Sequence, residues 1–128
     1  MSKLPQSHTT DFIDESMANT LPELFCQRVQ RSPERIAYTQ FDENAGDWRD
    51  YTWLEIQLLV HRWRQALLKE GLAKGDRVAV IVGNSIEWVC FDQAAQSLGL
   101  VIVSLYTTDT AENIAYILKA VSYTHLTL

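Results

Sequence analysis

The feature that most constrains this chain is an apolar strand, a helix and a second apolar strand between residues 77 and 104. Residues 77–82 contain Val78-Ala79-Val80-Ile81-Val82, apolar without alternation, as expected of a strand buried on both faces. Gly83-Asn84 then makes a short loop, Ser85-Ile86-Glu87-Trp88 opens a helix, and Gly99 closes it. Residues 100–104 give the second strand. Such a crossover joins parallel strands, so the chain is expected to be α/β, with helices laid on a parallel sheet.

The segments around this unit fit the same class. Residues 1–19 are polar and aperiodic and read as a loosely held N-terminal arm. Thr20-Leu21-Pro22-Glu23 caps a helix whose stripe is Leu21, Leu24, Phe25 and Val29, and Ser32-Pro33 stops it. Residues 36–41 and 48–52 read as two strands of a hairpin around the polar turn Asp42-Glu43-Asn44-Ala45-Gly46-Asp47. Thr52-Trp53-Leu54-Glu55 is a second capping signal. It leads into Ile56, Leu59, Val60, Trp63, Ala66 and Leu67 at helical spacing, and Gly71 ends that helix. After the second strand, Asp109-Thr110-Ala111-Glu112 caps a helix carrying Ile114, Ile117 and Leu118.

Composition sets the outer bounds. A chain of 128 residues that is 47% hydrophobic can bury a core and is too apolar for intrinsic disorder. Its net charge of -5, with no basic run, argues against nucleic acid as a partner. The longest apolar runs, 78–82 and 98–103, are strand-sized and too short to cross a bilayer. The first residues, Met-Ser-Lys-Leu-Pro-Gln-Ser-His, lack an apolar signal segment, which points to the cytoplasm. Cys26 and Cys90 both fall in helical segments and read as reduced, partly buried thiols.

Catalytic chemistry is hard to find. Val82-Gly83-Asn84-Ser85 stands where an α/β sheet can bind phosphate at a helix N-terminus. It has one glycine and no lysine, however, and reads better as a tight turn and helix cap. His8, His61 and His125 are scattered, and no Cys/His set has metal spacing. The acidic pairs Asp14-Glu15 and Asp42-Glu43 fall in loops and read as solvated. No serine has a nucleophile-elbow context. The tryptophans, with Trp53 and Trp63 beside one helical stripe and Trp88 opening another helix, read as core packing rather than a cofactor box. No catalytic, cofactor-binding or metal residue is assigned.

The run Gly71-Leu72-Ala73-Lys74-Gly75-Asp76-Arg77-Val78-Ala79-Val80 resembles a stretch of the AMP-forming acyl-CoA synthetases. Gly83-Asn84-Ser85 with Glu87-Trp88, Ala94-Ala95 and Gly99 continue the resemblance in order. Leu105-Tyr106-Thr107-Thr108 and Glu112-x-Ile114-Ala115-Tyr116-Ile117-Leu118 extend it. Upstream, Ser32-Pro33-Glu34-Arg35-Ile36-Ala37 and Tyr51-Thr52-Trp53-x-Glu55-Ile56 also fit. The resemblance covers about residues 20–119, and the Leu-Tyr-Thr-Thr form looks most like long-chain fatty acid:CoA ligases.

That resemblance implies an ATP-dependent enzyme that converts a carboxylate to an acyl-adenylate and then to a coenzyme A thioester. Mg-ATP, coenzyme A and a fatty acid would be partners of the parent enzyme, and peripheral membrane contact is compatible with it. The fold implied is an incomplete N-terminal part of the large domain of an adenylate-forming enzyme, spanning 20–120. The family's phosphate loop ending in Pro-Lys-Gly, its Tyr-Gly-x-Thr-Glu stretch, its ribose-binding Asp and its C-terminal-domain lysine do not occur in this sequence. The chain is therefore expected to be inactive by itself, with no cofactor of its own. A stand-alone α/β binding or scaffold module is the alternative.

Residues 121–128, Val-Ser-Tyr-Thr-His-Leu-Thr-Leu, break the family pattern. Read as codons, GTC-TCT-TAT-ACA-CAT-CTG-ACG-CTG resembles the end sequence of transposon-based sequencing libraries. The segment is expected to be adapter-derived, and a genuine C-terminal strand is the alternative.

Overall fold

The computed structural model describes residues 11–121 and the backbone of 125–127. Among the described residues, a 3-10 turn, Glu15–Met17, precedes four helices and five strands. These are α1 (Leu21–Arg31), β1 (Ile36–Asp42), β2 (Asp47–Thr52), α2 (Trp53–Lys69), β3 (Arg77–Ile81), α3 (Ile86–Ser97), β4 (Val101–Leu105), α4 (Ala111–Val121) and β5 (His125–Thr127). The class is α/β, as the apolar strand–helix–strand unit requires.

Local chemistry sets most boundaries. At α2 the Thr52 hydroxyl accepts from the Glu55 N–H (3.2 Å), and the Glu55 carboxylate accepts from the Thr52 N–H (2.8 Å). That reciprocal pair is a complete capping box. At α1 only half of it forms. Thr20 Oγ1 accepts from the Glu23 N–H (3.3 Å), while Glu23 reaches one residue further back, to the Asn19 N–H (2.6 Å). At α4 the hydroxyl of Thr110 meets the Asn113 N–H (3.2 Å), so Thr110 caps that helix. Asp109 instead accepts from the Asn113 side-chain amide (2.9 Å).

β1 and β2 form a two-stranded antiparallel ribbon, with Phe41 opposite Trp48. Its turn is tied by Asp42, whose Oδ1 accepts from the N–H groups of Asn44 (2.9 Å) and Ala45 (3.2 Å). The second sheet is parallel, in the order β4-β3-β5. β5 falls in the 121–128 segment, of which residues 122–124 and 128 lie outside the described residues.

β3 is the centre of the molecule. Val78, Ala79 and Val80 are all buried, in agreement with the unalternating apolar run. Val78 and Val80 pack with Ile56, Val60 and Leu67 of α2 and with Cys90, Phe91, Ala94 and Ala95 of α3. Phe91 meets the Trp63 ring edge-on at 5.6 Å. Gly99, with φ 70°, turns the chain from α3 into β4, and a Cβ there would come within 2.7 Å of Lys74 Cγ. Only glycine suits both the backbone and the space.

Residues 11–13, at the described end of the N-terminal segment, are held against α1. Arg28 binds the Asp11 carboxylate (2.6 Å) and its backbone carbonyl (2.7 Å), and Arg31 donates to the Phe12 carbonyl (2.7 Å). Ile13 is buried beside them. These contacts bridge segments distant in sequence, which composition cannot report.

Candidate functional site

The loop that follows β3 and the first turn of α3 face the hairpin across an open cleft of about 850 Å³. Ligands of open α/β sheets gather at such strand ends. Tyr38, Gln40 and Trp48 form one wall, and Asn84, Ser85 and Trp88 form the other. Asp42, Glu43 and Glu87 also line it.

The loop Gly83-Asn84-Ser85 is built as a helix cap. Ser85 Oγ accepts from the Trp88 N–H (3.3 Å) and donates to the Gly83 carbonyl (3.1 Å). The Ile86 N–H is taken by the side-chain oxygen of Gln40, at 2.7 Å. With these donors engaged and three carboxylates on the walls, the cleft does not suit nucleotide phosphates, which need free N–H groups and cations. Gln40 was invisible to sequence reasoning because it lies 46 residues from its partner. Only the tertiary fold brings them together.

Other sequence readings resolve individually. His61 is exposed, and His8 lies outside the described residues. For His125 only the backbone is described. Asp14 accepts from the Ser16 N–H (2.8 Å), and hydrogen bonding to Ser16 holds its carboxyl below the usual range. Trp53 packs edge-on against Phe25 (6.2 Å) and Tyr38 (5.8 Å). Trp48 departs from the core reading: it is 67% exposed and contacts Phe41 edge-on at the hairpin tip. That ribbon leaves its outer face to solvent. Cys26 also departs, being exposed on α1, whereas Cys90 is fully buried. Among the described residues no group of His, Cys, Asp and Glu could hold a metal ion, and no helix is long and apolar enough to cross a membrane.

Burial, and then the Glu87 charge, push the Cys90 thiol up from 9.0 to about 11. The folded chain therefore keeps a proton that the unfolded chain loses in this window. Stability present below pH 9 is lost as pH rises through about 11. Urea unfolding should show a lower midpoint at about pH 10.5 than at about pH 8. A thiol reagent at neutral pH should label Cys26 in the native chain and Cys90 only after unfolding.

Residues 25–127 match the model of the family described as AMP-binding enzyme. The chain belongs to the AMP-binding enzyme family. Over 93 residues it is 37% identical to the long-chain-fatty-acid–CoA ligase FadD13 of Mycobacterium tuberculosis, covering 73% of this chain and 18% of that protein. It is 30% identical over 105 residues to the putative acyl-CoA synthetase YngI of Bacillus subtilis, covering 82% of this chain and 18% of YngI. The inhibitor-bound N-terminal domain of FACL13 from M. tuberculosis overlays with a TM-score of 0.73 at 30% identity. That overlay covers 82% of this chain and 25% of the other. The chain thus spans 18% of the length of these two curated relatives.

The family stretches map onto scaffold geometry. In Gly75-Asp76-Arg77-Val78, the Asp76 carboxylate accepts from the Ala73 N–H (2.8 Å), and its carbonyl accepts from the Val101 N–H (2.8 Å). Gly75 N–H donates to the Gly99 carbonyl (2.8 Å). These bonds lock the turn before β3 to the turn before β4. They set the strand register.

Proposed function

We propose that the chain is the N-terminal part of an AMP-forming long-chain fatty acid:CoA ligase, and that it supplies scaffold rather than catalytic residues. The observation that carries this reading is the 37% identity to FadD13, a long-chain-fatty-acid–CoA ligase. The parent enzyme joins a fatty acid to AMP at the expense of Mg-ATP, releasing pyrophosphate. It then passes the acyl group to the thiol of coenzyme A. A carboxylate is a poor electrophile, and AMP gives it a leaving group. The charge that develops on phosphate needs cations and free N–H donors. The β3–α3 cleft offers three carboxylates and a hydrogen-bonded cap in their place. The 128-residue chain alone is therefore inactive.

On this reading the parent enzyme is cytoplasmic, and peripheral membrane contact is compatible with it. The family stretches lie within residues 20–120, and the codon reading makes 121–128 adapter-derived although the family model's match runs on to residue 127. Genomic DNA read beyond the codon for Lys119 tests this. The same frame is expected to leave the 121–128 sequence and run on into a Ser/Thr/Gly-rich loop ending in Pro-Lys-Gly. A genomic frame that encodes residues 121–128 without interruption and then stops would overturn the proposal and favour a stand-alone binding module.

A further inference from the structure

Beneath residues 11–13 lies a second space, of about 460 Å³, which shares Tyr38 with the β3–α3 cleft. Its walls include Leu21, Leu24 and Phe25 of α1, Tyr38 of β1, Trp53 of α2 and Gln93 of α3. The volume falls in the range of small-molecule sites, and such sites pair apolar walls with a few placed polar groups. The outer wall is residues 11–13, clasped by Arg28 on the Asp11 carboxylate (2.6 Å) and anchored by buried Ile13. Phe12 (70% exposed) and Leu21 (59% exposed) give the site an apolar rim.

One polar atom stands out. Gln93 Oε1 is buried and has no hydrogen-bond partner among the described residues. Buried side-chain acceptors are ordinarily paired, so an unpaired one beside an apolar space calls for a donor. Tyr38 faces the same space, and burial raises its phenol above the ordinary value, with the nearby Cys90 and Asp92 adding to the rise. It therefore stays a neutral hydroxyl at physiological pH.

We propose that this space binds an apolar small molecule bearing one hydroxyl, an alcohol or a phenol, whose O–H donates to Gln93 Oε1 while Phe25 and Trp53 enclose its body. Arg28, the arginine among the lining residues, is already engaged by the Asp11 carboxylate and carbonyl and by the Ser32 hydroxyl, so it is not offered to a ligand. The proposal is independent of the ligase reading and would hold for a binding module as well.

The test titrates the purified full chain with phenol and, separately, with toluene, its near-isostere lacking the O–H. Binding is followed through the Trp53 indole and Gln93 side-chain amide resonances. Phenol is expected to shift both signals and to bind about fivefold tighter than toluene, the worth of one neutral hydrogen bond. Gln93→Leu should remove that preference while toluene binding persists, which also shows that the variant is folded. Equal binding of the two probes to the unaltered chain, no binding of phenol, or shifts that leave Trp53 and Gln93 unmoved would each overturn the proposal. Retention of the phenol preference in Gln93→Leu would overturn it too.

Discussion

Replacing Phe91 by alanine is expected to lower the stability of this chain by about 3–5 kcal/mol, a large part of the roughly 5–15 kcal/mol that holds a domain together. Phe91 is 1% exposed and lies where α3, α2 and β3 meet, edge-on to Trp63. Alanine there loses the transfer energy of the ring and leaves a void that the β3 strand cannot fill. Thermal unfolding followed by circular dichroism should show a melting temperature lower by about 10–20 °C. A drop of only a few degrees would mean that the helices collapse into the space, contrary to a rigid α2–α3–β3 core.

The second large effect concerns the sheet edge. Among the described residues β4 is paired on one side only, by β3. Val101 on that strand is 49% exposed, with Tyr106 (75% exposed) just beyond it. An apolar edge with unpaired N–H and C=O groups is a template for association. The purified chain should gain apparent mass with concentration in light scattering. Val101→Lys should move that rise to roughly tenfold higher concentration, because lysine on an edge strand blocks pairing. A wild-type chain that stays monomeric at every concentration would show that the β4 edge is already protected, and would count against its being the incomplete edge of a larger domain.

The central strand on which the first prediction leans was legible in the sequence. The buried run Val78-Ala79-Val80 marked the central strand because a parallel strand covered on both faces has no polar alternation. The caps at Thr52 and Ser85 were legible because a capping hydroxyl acts within three residues of itself. Gly99 was legible as a helix stop, although its contact with Lys74 was not.

What escaped reading is long-range. Gln40 capping α3 and Arg28 gripping Asp11 each join residues that no local period connects. Trp48 read as core because tryptophan is on average buried, but a two-stranded ribbon has only one face to hide it. The candidate site was harder still. The β3 loop sits where phosphate could bind, and the side chain that closes this possibility, Gln40, comes from another element of the fold.

The most direct test of the central claim, that these residues hold scaffold and not the reacting groups, is fatty-acid-dependent ATP–pyrophosphate exchange. It should be run on the purified 128-residue chain, after the same preparation has shown cooperative unfolding by circular dichroism. No exchange above the protein-free background is predicted, because no described side chain cluster can bind the metal and the helix N-terminus at the β3 end is already capped. Exchange that depends on both the chain and an added long-chain fatty acid would contradict the account.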